Sequence, residues 1–153
     1  MILGIDPGTK ETGFALIRGD YSIVQAGKLA NNDLREHLKD IATTIVSCAA
    51  EGMQSYGRAV GSEVFTTERQ LGRFVQLLSE RKVSTTVYYR PEYGKAITGT
   101  KKCSDSVLRT ALMRRFGGYN KGEPLNILKG NSDKRSAFAV AVYHLDQKRR
   151  SGR

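Results

Sequence analysis

Apolar residues fall along this chain in two rhythms, and each predicts its own kind of element. Ile2, Leu3 and Ile5 form a short continuous run, the pattern of a strand covered on both faces. The run ends at Asp6, and Pro7-Gly8-Thr9 turns the chain sharply. Thr12-Gly13-Phe14-Ala15-Leu16-Ile17 predicts a second strand, so the two make a hairpin. Tyr21 to Gly27 predicts a third, centred on Ile23 and Val24. From Asn31 the rhythm changes. Leu34, Leu38, Ile41, Ile45 and Cys48 recur at three- and four-residue spacing, which predicts a long amphipathic helix capped by Asn31 or Asn32 and ending near Gly52.

Arg58 to Phe65 predicts a fourth strand with Glu63 near its end. Thr66 or Thr67 then caps a helix to about Lys82, with Leu71, Phe74, Val75 and Leu78 on its apolar face. Ser84 to Tyr89, β-branched and aromatic, predicts a fifth strand. Arg90 to Lys102 reads as a polar loop. Ser104 caps a helix whose stripe is Val107, Leu108, Ala111, Leu112 and Phe116, stopped by Gly117-Gly118. Tyr119 to Asn131 reads as a flexible loop. Ser132-Asp133 opens a last helix carrying Ala137, Val140, Ala141 and His144 on one side, with a frayed charged tail from Gln147. The first three strands form an antiparallel meander, and later strands alternate with helices, so right-handed crossovers should join them into one mixed sheet. The expected fold is α/β: a ribonuclease-H-like mixed five-stranded sheet flanked by helices, as a single domain over residues 1–153.

Composition narrows the class of function. The length suits one domain with a real core, and 39% hydrophobic against 26% charged residues is the balance of a globular protein. No apolar run is long enough for a membrane span, and Asp6 interrupts the position of a signal-peptide core, so the expected location is the cytoplasm. Cys48 and Cys103 lack metal-site spacing; both are expected to be reduced, Cys48 within a helix core. The formal net charge of +10 points to a polyanionic partner, nucleic acid first. Lys101-Lys102, Arg114-Arg115, Lys134-Arg135 and Lys148-Arg149-Arg150 concentrate that charge in the last third.

Three acids stand out against this basic background. Asp6 and Glu63 each lie near the end of an expected strand, and Asp133 opens a helix. An aspartate ending a buried strand is costly unless paired or metal-bound; Asp6 has the alternative of capping its own turn, Glu63 of ending a strand at the surface, and Asp133 of serving as an N-cap. If the strands of Asp6 and Glu63 are parallel neighbours, both acids emerge at one sheet edge, where Asp133 can join them. Oxygen-only ligation suits Mg²⁺ or Mn²⁺, and two such ions can catalyse phosphodiester hydrolysis.

These residues carry a resemblance. ILGIDPGTKETGFALI is similar to the opening of the RuvC-type Holliday junction resolvases; AVGSEVF, PEYGKAITGTKKCS and DKRSAFAVAVYHL resemble later motifs of that family in matching order. The short, lysine-rich form resembles bacteriophage members. The resemblance implies catalysis by Asp6, Glu63 and Asp133 on Mg²⁺ or Mn²⁺, two ions per site, with branched DNA as substrate. It places Lys95 in a family motif, and Lys95, Lys101, Lys102, Lys134 and Arg135 are the expected DNA contacts. A homodimer is expected, because a four-way junction has approximate two-fold symmetry. One position departs: the family usually has two aspartates three residues apart on its last helix, and here Ser136 follows Asp133. Ser136 is expected in the metal shell, through water or as a weaker ligand, with Asp105, Glu68 and Asp146 as acids able to stand in. Asp105 also falls where the family is often basic. The rival readings are a ribonuclease H or transposase-like nuclease, and a junction-binding protein that does not cleave. An actin-like ATPase shares the Asp-x-Gly-Thr pattern but needs two lobes, for which this chain is too short.

If phosphate contacts dominate, DNA affinity should fall steeply with salt, with a log–log slope of roughly −0.9 per contact on duplex DNA. A filter-binding series from low to physiological salt measures it, and a flat response would remove nucleic acid as the partner.

Overall fold

The computed structural model describes residues 1–55 and 57–152. Strands β1 (Ile2–Asp6), β2 (Glu11–Ile17) and β3 (Ile23–Ala30) form an antiparallel meander, with Leu3 opposite Leu16 and Asp6 opposite Gly13. Strand β4 (Ser47–Gly52) runs parallel to β1, with Ile5 opposite Ala50, and β5 (Ser84–Tyr89) runs parallel to β4. The strand order is β3-β2-β1-β4-β5, a mixed five-stranded sheet.

Side-chain alternation divides the core into two layers. Leu3, Ile5, Phe14, Leu16, Cys48 and Ala50 point to one face and pack with Leu34 and Leu38 of α1 (Asn31–Ile41) and with Leu71, Phe74 and Leu78 of α2 (Ser62–Glu80). Ile2, Ala15, Ile17 and Ala49 point to the other. They meet α3 (Arg90–Thr98), α4 (Asp105–Phe116) and above all α5 (Ser132–Ser151), whose residues from Ser136 to Leu145 are all buried. Among the described residues no helix is long and apolar enough to cross a membrane.

Several sequence-based boundaries shift, each for a local reason. The helix expected from Asn31 to Gly52 stops at Ile41, and Cys48 lies in β4 rather than in a helix. Thr43-Thr44-Ile45-Val46 is four β-branched residues in a row, stiff at χ1 and poor in a helix. The short run Ser47-Cys48-Ala49-Ala50 is buried on both faces, where periodicity cannot tell strand from helix. The strand expected over Arg58–Phe65 does not form. Ser62 begins α2 instead, and Glu63 lies in its first turn, where its charge complements the helix dipole. The Arg90–Lys102 loop is largely α3: Pro91 sits in its opening turn, where a missing N–H costs nothing, and Gly99, at φ +76°, ends it. The Tyr119–Asn131 loop is packed, with Tyr119, Leu125 and Leu128 buried. The tail from Gln147 continues α5 to Ser151. Cys48 and Cys103 are both free, as expected.

Two glycines set how closely α5 lies on the sheet. A Cβ on Gly4 would overlap the carbonyl oxygen of Ala137, and one on Gly13 would lie 2.5 Å from the carbonyl oxygen of Asp133. Further along, His144 ties α5 to two strands: Nε2 is 3.0 Å from Ser47 Oγ and Nδ1 is 2.9 Å from Tyr88 Oη. Burial pushes this imidazole down to about 4, so it is neutral at ordinary pH.

Gly4→Ala should therefore destabilise the protein by about 1–3 kcal/mol or more, since the obstacle is backbone and cannot rotate away. Gly72→Ala, in α2 with open space around it, should have the opposite sign, up to about 1 kcal/mol stabilising. Urea unfolding of both variants checks the contrast.

Candidate active site

Three chain segments bring acids to one corner of the sheet. Asp6 ends β1, and the parallel register that pairs Ile5 with Ala50 sets Glu51 of β4 beside it. Alternation turns both side chains to the face covered by α5. Asp133 lies in the first turn of α5 and Ser136 three residues on, so both lie on one helix face near Asp6. Asn131 caps that helix: its side chain accepts from the Lys134 N–H at 3.0 Å.

The turn after Asp6 is braced from α1. Thr12 Oγ1 donates to Asn31 Oδ1 at 2.6 Å, and Asn31 Nδ2 donates to the carbonyls of Gly8 (3.0 Å) and Thr9 (3.2 Å). The turn lines a cleft of about 320 Å³ together with Asp6, Lys10, Glu11, Lys28 and Asp133. Lys28 Nζ stands 2.8 Å from Asp133 Oδ2 and 3.4 Å from Glu11 Oε2.

A guanidinium closes the other side of the corner. Arg90 Nη1 donates to Tyr93 Oη (2.9 Å) and to Ser136 Oγ (2.8 Å), and it lies 3.7 Å from Glu51 Oε2. Its Nη2 donates to Asp105 Oδ1 at 2.7 Å. Tyr93, fully buried, donates its hydroxyl to Glu51 Oε2 at 2.6 Å.

Electrostatics marks this corner as unlike the rest of the molecule. Burial, then the Glu51 and Asp133 charges, push Asp6 up from the ordinary carboxylate range to about 8, against the opposing pull of Arg90 and of the Ser136 hydroxyl. Burial also raises Glu51, although Tyr93 and Arg90 favour its ionised form. Two neighbouring half-buried carboxyls that cannot both ionise comfortably are a donor set suited to a cation. Among the described residues no three His, Cys, Asp or Glu side chains form a closed metal cage. Asp133 is turned to Lys28, and it joins Asp6 and Glu51 only by leaving that ammonium. The donor chemistry nonetheless fits a hard divalent ion: every candidate ligand is oxygen, and a bound cation would relieve the repulsion that raises Asp6.

Of the expected site residues, Asp6, Asp133 and Ser136 come together. Glu63 does not join them; it is exposed at the start of α2, and Glu51 is the acid beside Asp6. Lys95, Lys101 and Lys102 are exposed on α3 and just after it. Lys134 and Arg135 instead reach back to the carbonyls of Ile127 and Leu128 and hold the preceding loop. Asp105 pairs with Arg90, Asp146 with Arg115 (2.7 Å), and Glu68 accepts from the Met53 N–H (2.7 Å), so of the three stand-in acids only Asp105 touches the corner's network. Sequence reasoning missed Glu51, Arg90, Tyr93 and Lys28. For Glu51 a signal was present, because Cys48-Ala49-Ala50-Glu51 repeats the pattern of Ile2-Leu3-Gly4-Ile5-Asp6, a doubly buried run closed by an acid.

A mixed sheet with strand order β3-β2-β1-β4-β5, helices on both faces and an acid corner at the ends of its two central parallel strands defines a ribonuclease-H-like α/β protein. No protein-family model matches the chain. It is 28% identical to the crossover junction endodeoxyribonuclease RuvC of Sulfurovum sp. (strain NBC37-1) over 160 residues, covering 95% of each chain. Two solved structures of Thermus thermophilus RuvC, one of them in complex with a Holliday junction substrate, share its fold with TM-scores of 0.72 and 0.73 at 15% identity. Those alignments cover 98% of this chain and 96% and 95% of theirs. The chain is thus similar to a RuvC resolvase in sequence, and to RuvC structures in fold, along nearly its whole length.

The raised Asp6 carboxyl gives stability a definite pH dependence. Between its ordinary value of 3.8 and about 8, the folded protein keeps a proton that the unfolded chain has released. Metal-free protein should therefore lose stability as pH rises through that window, by on the order of a few kcal/mol. Asp6→Asn should flatten the loss and melt above the wild type at pH 9. Thermal melts in chelator from pH 5 to 9 measure both curves, and parallel curves would exclude a raised Asp6.

Proposed function

We propose that this chain is a structure-selective endonuclease that resolves four-way and other branched DNA junctions by metal-dependent phosphodiester hydrolysis. The observation that carries the reading is the half-buried Asp6–Glu51 pair with Asp133 nearby, at the corner where β1 and β4 end, in a chain similar to RuvC over 95% of its length. Asp6, Glu51 and Asp133 would hold Mg²⁺ or Mn²⁺. When bound, such an ion activates water and stabilises the leaving oxygen of a scissile phosphodiester.

The chain's own groups do the rest. Tyr93 and Arg90 hold Glu51 in place and favour its ionised form against the pull of burial. Ser136 lies beside Asp6, and its hydroxyl favours the ionised carboxyl. Asn31 and Thr12 stiffen the turn beneath the cleft, so the ligands are held before substrate arrives. Lys10 and Lys28 at the cleft rim offer positive charge to the phosphate backbone. Lys95, Lys101 and Lys102, exposed beyond α3, extend the same contact along a DNA arm, whereas Lys134 and Arg135 act mainly by holding the loop before α5. A two-fold homodimer would place two such corners symmetrically on a junction. The interface is not drawn from the α1 and α2 leucines or Phe74, because these are core. The rival of a binding protein without cleavage draws on Ser136 and on the Lys28–Asp133 pair, which leaves the acids short of a closed cage.

Cleavage assays on a four-way junction, a linear duplex and an RNA–DNA hybrid, with and without Mg²⁺ or Mn²⁺, separate these readings. Asp6→Asn and Glu51→Gln should each lower junction cleavage at least roughly 100-fold while leaving junction binding intact, and Glu63→Gln should cut normally. Equal loss in Glu63→Gln would move the second acid back to α2. Sedimentation of the junction complex should show two protomers; a monomer alone would count against resolution of a junction.

A further inference from the structure

We propose that Arg90 is a permanent second cation of this active site, so that each protomer binds a single divalent ion where the chemistry alone would suggest two. The inference deepens the nuclease reading and rests on it. Two-metal sites use their second ion to neutralise developing charge opposite the first. Here that side of the corner is already filled. The Arg90 guanidinium is anchored at four points, by Ser136 Oγ, Tyr93 Oη, Asp105 Oδ1 and the Glu51 carboxylate. Ser136 is the link between the two halves of the site, since its hydroxyl accepts from Arg90 and lies beside Asp6, whose ionised form it favours.

The ion pairs agree with this division. Arg90 lies against Glu51 and Asp105 on one side of the corner, and Lys28 against Asp133 on the other, so the position beside Glu51 already holds a cation. An aspartate at position 136 would meet a guanidinium 2.8 Å from the present hydroxyl and would pair with its Nη1, rather than serve as a free metal ligand. Arginine suits such a post better than lysine, because its planar fork can serve several acceptors at once and stays protonated at every working pH. Its Nε–H is buried and has no partner among the described residues, so the contacts that place the group run through its Nη atoms.

Calorimetric titration of the DNA-free protein with Mn²⁺ tests the assignment without relying on activity. Wild type and Ser136→Asp should each bind one ion per protomer. The double variant Arg90→Ser/Ser136→Asp, which removes the guanidinium and adds an oxygen ligand, should bind two. Arg90→Lys keeps the charge but loses the fork; it should also bind one ion and cleave more slowly, with the Mn²⁺ concentration for half-maximal rate unchanged within twofold. Two ions on the wild type, a second ion gained by Ser136→Asp alone, or only one ion on a folded double variant would each overturn the proposal. Because binding is read without DNA, one ion on a protein that cuts no branched substrate would sink the nuclease reading and leave Arg90 in its role. Two ions on a protein that resolves junctions would do the reverse.

Discussion

The closeness of α5 to the sheet is the constraint on which the corner depends. Without side chains at Gly4 and Gly13, the backbone of α5 comes down onto β1 and β2 near Ala137 and Asp133. That approach carries the first turn of the helix over the end of β1, and only there can Asp133 and Ser136 share space with Asp6. A bulkier residue at either glycine would lift the whole N-terminal half of α5, because the obstructing atoms are backbone. The small residues Ala137 and Ala141 serve the same end from the helix side, both of them fully buried. His144, bonded to Ser47 and Tyr88 two turns further on, fixes the other end of the seat. Site geometry is thus set by packing that contains no charged group.

Against that rigid frame the corner stores electrostatic repulsion. Asp6 and Glu51 are neighbours in register, both largely removed from water, and the ionised form of each raises the cost of the other. The fold tolerates them because the metal-free protein can leave Asp6 protonated, and because Arg90, Tyr93 and Lys28 compensate the remaining carboxylates. Proton and metal ion therefore compete for the same oxygen atoms, and raising the pH favours the metal. The strain is the same property seen from two sides: it costs stability in the empty protein and supplies affinity for a cation.

Much of this was legible in the chain, and the failures have physical causes. The N-terminal hairpin, the fifth strand, the mixed sheet and the meeting of Asp6 and Asp133 at one corner could be read from Ile2-Leu3-Gly4-Ile5-Asp6 and from the helix opening at Ser132. Glu51 was hidden because its strand is built of small residues, Ser47-Cys48-Ala49-Ala50, that continue the three- and four-residue spacing of α1. Glu63 took its place because Val60 to Phe65 looks like an apolar strand, although it winds into the first turn of α2. Arg90 was hidden for a different reason. Nothing in its local sequence marks it, and its role follows from partners at positions 51, 93, 105 and 136 that only the folded chain assembles.

The distribution of charge gives the acid corner its place in the wider surface. A chain of net charge +10 repels metal ions over most of its exterior and attracts phosphates. The inner acids reverse that preference only within a small cleft, and the ring of Lys10, Lys28 and Arg90 confines the reversal to a few ångströms. Screening sharpens the contrast, since the exposed lysines act over a length of about 8 Å at physiological salt while the buried carboxyls are screened far less. A phosphate backbone is thus drawn to the protein everywhere and can come close to the carboxylates only at this cleft, and only once a cation has neutralised them. Guidance of the DNA and readiness for hydrolysis are carried by opposite charges at different depths, which allows a strongly basic surface and an acidic site to coexist in one small fold.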